Sequence, residues 1–332
     1  MPLADLLPKL AGQRVLVLGD VILDEYLIGR ATRLSREAPI PVLEFEERRL
    51  IPGGAANPAA NIVALGSQAV QVAVIGDDPE AASLRHVLER HHIETHGLIV
   101  DEGRPTTVKT RIMAHMGLRF PQQVARLDKL AREPISPPLE DTLRALISDD
   151  AAQASAILLS DYHVGLLTPA LVEAAREIAD EKHIPITADA QGDLDKYDGF
   201  SVVKCNADEA RDYLRQDLRS DDEFASAARE LCQTLHLSGG MVITRGADGA
   251  TVCTADGIAT HSPAPITTEV YDTVGAGDTA IAVITLAVAA GASLVDAALL
   301  ANYASGLVVR RVGNYAPTPD ELLQAVEAGE HL

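Results

Sequence analysis

The sequence is poor in aromatic residues and has no excess of basic charge. Tryptophan is absent, aromatic residues make up 3% of the 332 residues, and the formal net charge is -20 with a pI near 4.8. Proteins that bind nucleic acids present a basic face or aromatic side chains on which bases stack. We therefore expect no nucleic-acid partner.

Features of secreted, zinc-binding and membrane proteins are missing as well. The three cysteines, Cys205, Cys232 and Cys253, are far apart, without a C-x-x-C motif or a histidine at zinc-ligand spacing, which favours buried thiols in a reducing cytosol. The N-terminal residues include an early aspartate and no long apolar run, unlike a secretory signal. The longest apolar run, residues 280–290, is too short to span a bilayer. We expect a cytoplasmic protein with no membrane partner.

Two common nucleotide-binding motifs are also absent. Residues 14–20 form an apolar run that ends in Gly-Asp, as in a central parallel strand whose carboxyl end opens onto a ligand crevice. Neither G-x-G-x-x-G nor G-x-x-x-x-G-K-[ST] follows this run or occurs elsewhere. A dinucleotide-binding Rossmann unit and a Walker-type NTPase therefore lose their main support.

The arrangement of apolar segments predicts an α/β fold. From residue 70 onward, strand-like and helix-like segments alternate, which favours a mostly parallel sheet with helices on both faces. Residues 25–52 and 98–130 differ, because they contain short, partly alternating segments typical of a small β element. We expect a single domain over residues 1–332, with a β lid formed by these two regions.

Residues 272–279 read D-T-V-G-A-G-D-T and lead directly into the apolar segment 280–290. The glycines allow a tight turn that exposes successive backbone N–H groups, and a following helix adds the positive end of its dipole. Such a turn binds anions. Asp278 lies within it, where a carboxylate either caps the helix or takes a proton from a hydroxyl that attacks a bound phosphate. The local pattern leaves both interpretations open.

A second glycine motif lies upstream, where residues 53–57 read G-G-A-A-N and helical spacing places Asn57 in the first turn of a helix. In this order, the two motifs resemble the two signatures of the ribokinase-like (PfkB) sugar and nucleoside kinases. The resemblance covers residues 14–326 and implies a ribokinase-like three-layer sandwich with a β lid. It also implies a kinase that uses ATP and Mg²⁺, with a monovalent cation such as K⁺ as a further candidate.

The resemblance assigns roles to individual residues. Asp278 would be the general base, and the amides of Gly275, Ala276 and Gly277 would neutralise charge that develops on the transferred phosphoryl group. Sugar contacts would come from the upstream motif and from two aspartates just past the first strand: Gly53, Gly54, Asn57, Asp20 and Asp24.

Two further sequence patterns predict the residues that bind the nucleotide. Asn206 and Glu209 stand at a predicted strand-to-helix junction, where a capping box would explain the pair equally well. In the resembled family, the matching N-x-x-E helps to organise Mg²⁺ through water. A T-x-G-x-x-G spacing resembles the family's nucleotide-binding loop, although alone it is an ordinary hairpin. The implied nucleotide contacts are Asn206, Glu209, Thr244, Gly246 and Gly249, with Asn302 bordering the adenine.

Segments in and near the lid regions resemble one subfamily of these kinases in particular. Residues 30–42, the segments 109–112 and 122–128, and residues 159–162 are similar to the heptose 7-phosphate kinases of lipopolysaccharide precursor synthesis. This implies a heptose 7-phosphate substrate, phosphorylated at the anomeric hydroxyl. A dianionic sugar phosphate needs local cations in a protein of net negative charge. The candidates are Lys109, Arg111 and Arg126, to which Arg33 and Arg36 could add. Alternatively, these are solvated charges of the lid.

The sequence departs from that subfamily at two lysines. Val164 and Gln191 stand where its D-Y-x-K-G and D-P-K-G motifs have lysine. The loss weakens nucleotide binding, changes the phosphorylated substrate, or is offset by Lys204 or Arg245. Two other functions therefore stay open: a kinase for another sugar or a nucleoside, such as ribose, fructose or adenosine, and a catalytically silent sugar or nucleotide sensor. We also expect a homodimer that associates through the lid.

Overall fold

The computed structural model describes residues 2–115, 121–265, 270–311 and 313–329, which form thirteen β-strands and ten α-helices. The strands are β1 (Arg14–Gly19), β2 (Val21–Leu34), β3 (Pro41–Gly54), β4 (Gln68–Ile75), β5 (Leu98–Val100), β6 (Val108–His115), β7 (Gln122–Lys129), β8 (Ala156–Ser160), β9 (Ile186–Asp189), β10 (Val202–Asn206), β11 (Gly240–Thr244), β12 (Ala250–Thr254) and β13 (Ala259–Ser262). The helices are α1 (Leu3–Leu10), α2 (Ala56–Ala64), α3 (Pro79–Arg90), α4 (Pro137–Ala151), α5 (Pro169–Lys182), α6 (Ala207–Leu214), α7 (Asp221–Thr234), α8 (Ala276–Ala289), α9 (Leu294–Val308) and α10 (Pro319–Gly329).

The larger sheet has nine strands in the order β13-β12-β11-β10-β9-β8-β1-β4-β5. The pairs from β11 to β5 are parallel, whereas β12 and β13 pair antiparallel at one edge. β1 lies inside the sheet, with Leu16 opposite Val70 of β4 and Ile157 of β8. The predicted mostly parallel sheet is confirmed, and its inner strands read as continuous apolar runs because both faces are buried.

Helices cover both faces of this sheet. α8 packs against β8 and β9 and against α2 and α9, while α4 and α5 pack together against β1 and β8. α8 is buried along nearly its whole length, which explains why residues 280–290 are apolar on every side of the helix. No helix among the described residues is long and apolar enough to cross a membrane.

The smaller sheet is the predicted lid, with four strands in the order β3-β2-β6-β7. Its boundaries differ from those predicted, because the lid strands begin at residue 21 and extend to residue 54. β5 falls within the predicted lid region 98–130, but it pairs with β4 at the edge of the larger sheet, where Ile99 lies opposite Val74. A three-residue apolar strand gives no periodicity that would separate a sheet edge from a lid.

Short connections join the lid to the larger sheet and to α2. Only Asp20 separates β1 from β2, and only Ala55 separates β3 from α2. The base of the lid, the end of β1 and the start of α2 therefore lie together. This places the upstream glycine motif at the carboxyl edge of a parallel sheet, where ligands bind in open α/β folds.

Candidate active site

Asp278 occupies the first turn of α8, with its side chain buried. The N-cap residue of this helix is Gly275, with a left-handed φ of 83°, and not Asp278. Asn57 Nδ2 donates a hydrogen bond of 2.7 Å to Asp278 Oδ2, and the Tyr162 hydroxyl donates one of 2.8 Å to Oδ1. Both carboxylate oxygens thus accept hydrogen bonds from residues outside α8. This does not support the interpretation that Asp278 caps the helix.

Burial raises the pKa of Asp278 to about 6, with the Asp189 charge adding to the rise. The hydrogen bonds from Asn57 and Tyr162 and the charge of Lys204 act in the opposite direction. A carboxylate with a pKa just below neutrality is ionised at pH 7 and still basic enough to accept a proton.

The turn before α8 requires glycine at position 275. A Cβ there would lie 2.9 Å from Asn57 Nδ2, and the positive φ disfavours other side chains. At Gly277 a Cβ would lie 3.1 Å from Lys204 Nζ. The backbone of the turn therefore approaches both Asn57 and Lys204 closely. Its amides lie at the positive end of a 14-residue helix, a favourable position for an anion.

A cleft of about 980 Å³ opens in front of this turn. It is lined by every residue that the sequence assigned to catalysis or to the nucleotide: Gly275, Ala276, Gly277, Asp278, Asn206, Glu209, Thr244, Gly246, Gly249 and Asn302. These residues come from β10, β11 and the helices α6, α8 and α9, together with the loop between β11 and β12. The fold thus brings together motifs that are almost 100 residues apart along the chain.

Asn206 and Glu209 do form a capping box. The Asn206 side chain accepts hydrogen bonds from the N–H groups of Asp208 and Glu209, and the Glu209 carboxylate accepts from the Asn206 N–H at 2.6 Å. Both residues also line the cleft, so capping and a ligand role are compatible. The part of the chain that the structure describes contains no group of three or more His, Cys, Asp or Glu side chains suited to holding a metal.

The loop between β11 and β12 is a hairpin, as its sequence predicts. Gly249 has a φ of 83°, and a Cβ there would lie 2.2 Å from the Ser262 carbonyl oxygen, so only glycine fits. Gly246 has a positive φ in open space. Asn302 borders the same cleft, where its Nδ2 donates to the Ser262 carbonyl at 2.9 Å.

The residues assigned to the sugar lie at the base of the lid. Asp24 is buried and forms an ion pair of 2.5 Å with Arg111, and Asn314 Nδ2 donates to its other oxygen at 3.2 Å. A Cβ at Gly53 would lie 2.3 Å from that oxygen, and a Cβ at Gly54 would lie 2.3 Å from the Asp20 carbonyl oxygen. The two glycines therefore let β3 approach both aspartates.

Asp20 has different partners from those of Asp24. Its carboxylate accepts three backbone hydrogen bonds, from the N–H groups of Tyr162, Val164 and Leu166, at 3.0, 3.1 and 3.2 Å. Burial raises the pKa of Asp20, while these hydrogen bonds lower it. Asp20 thus fixes the loop that carries Tyr162.

The three predicted phosphate-binding cations differ in their surroundings. Lys109 lies over the Tyr162 ring, 5.1 Å from its centroid, and forms no ion pair with any described residue. Arg111 is paired with Asp24, whereas Arg126 lies on the exposed strand β7 and pairs with Asp128 at 2.9 Å. Burial lowers the pKa of Lys109. Lys109 is therefore the cation with the most capacity to bind an added anion.

Sequence reasoning did not assign Tyr162, Asn314 or Asp189 to the site. Tyr162 stands just past the end of β8, which is the signal that could have identified it. Asn314 lies 290 residues from its partner Asp24, and no local pattern marks it. Asp189 ends β9 and forms an ion pair of 2.7 Å with the buried Lys204.

The two positions of the missing lysines also differ. Val164 is buried, and its N–H is bound to Asp20, whereas Gln191 lines the cleft. Of the two residues considered as replacements, Lys204 lies beside the glycine turn, with Nζ 3.3 Å from the Gly277 carbonyl oxygen. Arg245 also lines the cleft, but it pairs with Asp221 at 2.7 Å and stacks on Phe224.

A mostly parallel sheet, a β lid and a carboxylate at a glycine turn are the features of a sugar kinase of the ribokinase-like fold. The chain belongs to the pfkB family of carbohydrate kinases, whose defining pattern matches residues 13–321. Carbohydrate kinases are phosphotransferases that act on an alcohol group of a sugar.

Relatives and solved structures agree with this assignment. The chain is 37% identical over 325 residues to the bifunctional protein HldE of Hyphomonas neptunium, covering 98% of this chain and 65% of that protein. It is 36% identical over 314 residues to HldE of Geotalea uraniireducens, covering 94% of this chain and 63% of that protein. The chain thus spans less than two thirds of these relatives' length.

The fold is shared with two solved kinases at low sequence identity. Phosphofructokinase-2 from Escherichia coli, in complex with substrates and products, has a TM-score of 0.78 and 18% identity, covering 96% of this chain and 100% of that one. Ribokinase from Arabidopsis thaliana, complexed with ribose and ATP, has a TM-score of 0.73 and 16% identity, covering 96% and 99%. Another Escherichia coli phosphofructokinase-2 structure contains potassium.

Proposed function

We propose that this kinase transfers the γ-phosphoryl group of ATP to the anomeric hydroxyl of a heptose 7-phosphate. The observation that carries the chemistry is the Asp278 carboxylate, buried at the glycine turn with a pKa of about 6 and bordering the cleft of about 980 Å³. The proposed substrate rests on the similarity of the lid segments to heptose 7-phosphate kinases and on the relatives that share more than a third of the sequence.

Asp278 is the proposed general base. Its carboxylate accepts the proton of the acceptor hydroxyl, so that this oxygen attacks the γ-phosphorus as the bond to the β,γ-bridging oxygen breaks and ADP leaves. Asn57 and Tyr162 hold the carboxylate in place through both oxygens. The amides of Gly275, Ala276 and Gly277 stabilise the negative charge on the equatorial phosphoryl oxygens. Fixed donors of this kind need no reorganisation during the reaction.

Two further residues of the cleft, Asn206 and Glu209, suit a nucleoside triphosphate with Mg²⁺. Asn206 and Glu209 use their side chains to cap α6 and present oxygen atoms of the kind that Mg²⁺ prefers. Since the described residues hold no cluster of three acidic or imidazole groups, the protein would bind this ion through water and the phosphates. Bound Mg²⁺ would neutralise the phosphate charge. A monovalent cation such as K⁺ is an additional candidate ligand.

The sugar would lie under the lid, between Asp24 and Asp278. Asp24 is fixed by Arg111 and Asn314, so its remaining acceptor capacity can orient hydroxyl groups. Lys109 is the proposed contact for the phosphate of the substrate, because it is half-buried and forms no ion pair among the described residues. Asp20 positions the Tyr162 loop in this scheme, and not the sugar itself.

A kinase for another sugar or for a nucleoside is the second candidate. It is favoured by Val164 itself, a buried and uncharged side chain at the position where the heptose 7-phosphate kinases have lysine. In that case Arg126, which is already paired with Asp128 on the surface, would be a solvated lid charge.

A substrate panel with purified protein tests the proposal. Heptose 7-phosphate, ribose, fructose, fructose 6-phosphate and adenosine would each be assayed for ATP-dependent phosphorylation, in K⁺ and in Na⁺ buffers. We expect transfer to heptose 7-phosphate with a kcat/KM at least about a hundredfold above that for the unphosphorylated sugars, because charge-assisted contacts to the phosphate are lost without it. Turnover of ribose or adenosine alone would establish the second candidate. Ligand binding without turnover on any acceptor would establish a sensor.

We further propose that the protein is a homodimer joined through the lid. All residues of β7 are exposed, and Leu34, Phe45 and Leu127 are each about two-thirds exposed or more on the lid strands. Large exposed apolar side chains on an open sheet favour pairing with a second sheet.

A further inference from the structure

Asn314 connects the C-terminal part of the chain to the base of the lid. It lies between α9 and α10 and is half-buried. Its Nδ2 donates hydrogen bonds to Asp24 Oδ2 at 3.2 Å and to the Pro52 carbonyl oxygen at 2.8 Å. Asp24 is a proposed sugar contact, and Pro52 immediately precedes the glycine motif on β3. Asn314 therefore borders the proposed sugar site.

The contacts of Asn314 determine the direction of its amide group. The Asp24 carboxylate pairs with Arg111, and like the Pro52 carbonyl it only accepts hydrogen bonds. The NH₂ group of Asn314 must therefore face these two acceptors, which leaves the amide oxygen Oδ1 pointing elsewhere. A Cβ at Gly275 would lie 3.2 Å from Oδ1. Since none of the described residues donates a hydrogen bond to Oδ1, this atom is an unused acceptor beside the glycine turn.

This unused acceptor lies close to the groups that hold the proposed base. Asn57 Nδ2, which donates to Asp278, would be 2.9 Å from the same Cβ at Gly275. Asn314 Oδ1 and Asn57 Nδ2 thus border one small space at the glycine turn. A sugar that reaches from Asp24 to Asp278 passes this space, where Oδ1 can accept a hydrogen bond from one of its hydroxyl groups.

We propose that Asn314 is a specificity-determining residue whose Oδ1 accepts a hydrogen bond from a sugar hydroxyl that is neither phosphorylated nor bound by Asp24. The proposal rests on the proposed function, because it assumes that the sugar lies between Asp24 and Asp278. A sugar without this hydroxyl would leave Oδ1 unpaired in a site from which it excludes water, and would therefore be disfavoured. Asn314 thus recognises the sugar itself, whereas Lys109 is the proposed contact for its phosphate.

A structural role is the alternative, in which Asn314 only orients Asp24 and ties the C-terminal segment to β3. Both roles predict a loss of activity in Asn314→Ala, so the rate with one substrate does not separate them. They differ in the substrate group that is affected. Direct recognition concerns a hydroxyl that Asp24 does not bind, whereas a role through Asp24 concerns the hydroxyls that Asp24 does bind.

The experiment measures kcat/KM for the preferred sugar and for each monodeoxy analogue that retains the acceptor hydroxyl, in the wild type, Asn314→Ala and Asp24→Asn. We expect the wild type to disfavour one analogue about tenfold or more, because its unpaired acceptor is then left without a donor. Asn314→Ala should use that analogue and the parent sugar within about threefold of each other, since the interaction is already lost. Asp24→Asn should retain the wild-type discrimination against it.

Three results would overturn the proposal. The wild type could use every analogue as well as the parent sugar, Asn314→Ala could keep the wild-type discrimination, or Asn314→Ala and Asp24→Asn could lose discrimination at the same hydroxyl. Calorimetric affinities for the same sugars replace kcat/KM where turnover is too slow to measure. Thermal unfolding shows whether each variant folds, and Asn314→Ser, whose side chain is shorter, replaces an Asn314→Ala variant that does not.

The failure of this proposal differs from the failure of the proposed function. If the wild type is inactive on heptose 7-phosphate but active on another sugar, the proposed substrate is wrong and the comparison uses the analogues of the active sugar. If the wild type phosphorylates heptose 7-phosphate and Asn314→Ala discriminates as the wild type does, the Asn314 proposal is wrong and the proposed function stands.

Discussion

The two oxygens of the Asp278 carboxylate accept hydrogen bonds from opposite directions, from Asn57 in α2 and from Tyr162 after β8. Both donors stabilise the charged form of the carboxylate, against a burial that favours the neutral form. The pKa of about 6 is the balance of these effects and of the charges of Asp189, which raises it, and Lys204, which lowers it. At the scale of single residues, the basicity of the proposed general base therefore depends on Asn57 and Tyr162, which bind its carboxylate.

Tyr162→Phe tests this balance at one atom. Loss of the hydroxyl removes a donor from Asp278, so its pKa rises and the ascending limb of the kcat/KM profile moves about one unit to higher pH. The profile over pH 5–9 measures this shift. Tyr197→Phe is the matched control, because Tyr197 is also buried and donates a hydrogen bond of 2.9 Å to Asp161. If the ascending limb is unchanged in Tyr162→Phe, or if it shifts equally in Tyr162→Phe and Tyr197→Phe, the Tyr162 hydroxyl does not set the pKa of Asp278.

At the scale of elements, local motifs were predictable and their long-range partners were not. The turn before α8 and the start of α6 could be predicted, because glycines, caps and apolar periodicity act over a few residues. Tyr162 lies 116 residues from Asp278 in the sequence and Asn314 lies 290 residues from Asp24. The place of Tyr162 after β8 marks it as a candidate site residue, but only the packing of the whole sheet brings such pairs together, so the sequence does not show which residue each one contacts.

The lid boundaries show the same limit. β5 was assigned to the lid, although it extends the larger sheet next to β4. Its three residues are too few to show which face they bury. The sugar-binding assignment of Asp20 likewise followed from its place after β1, whereas the structure directs its carboxylate to the backbone of the following loop.

Glu209→Gln separates the two interpretations of the Asn206–Glu209 pair. Glutamine at this helix position retains a capping box but loses the charge that would help to hold Mg²⁺. We expect KM for ATP, and the Mg²⁺ concentration for half-maximal rate, to rise about tenfold or more, as when a residue that supports a metal is changed. Steady-state kinetics at varied ATP and Mg²⁺ measure both constants.

Glu223→Gln is the control for this variant. Ser220 and Glu223 form the equivalent capping box at the start of α7, and neither residue lines the cleft. The control should match the Glu209 variant in thermal stability and the wild type in kinetics. If both variants have the same kinetic constants as the wild type, Asn206 and Glu209 only cap the helix and do not support Mg²⁺ binding.

At the scale of the whole molecule, the lid has two functions in this account. Its base carries Asp24, Lys109 and Arg111 next to the proposed sugar site, while its outer strand β7 is exposed throughout. For an acidic protein of net charge -20, the apolar side chains of the lid are the surface best suited to self-association.

Analytical ultracentrifugation tests the dimer. The wild type should sediment at twice the chain mass of 35.2 kDa, and Phe45→Asp/Leu127→Asp should sediment as a monomer, since buried charges without partners are costly. Ile258→Asp is the control, because Ile258 is 61% exposed in the loop between β12 and β13, away from the lid. A wild type that sediments as a monomer, or a lid variant that stays dimeric, would contradict this interface.

The central claim is that Asp278 is the base of the phosphoryl transfer, and Asp278→Asn tests it most directly. Asp296→Asn is the matched control, because Asp296 holds the same first-turn position in α9 without lining the cleft. The measurement is the rate of transfer from ATP to the preferred sugar at saturation, together with the affinity for ATP. We predict a loss of about 10³-fold or more for Asp278→Asn with ATP affinity largely kept, and a near-normal rate for the control. A loss of less than about tenfold would contradict the assignment of Asp278 as the base.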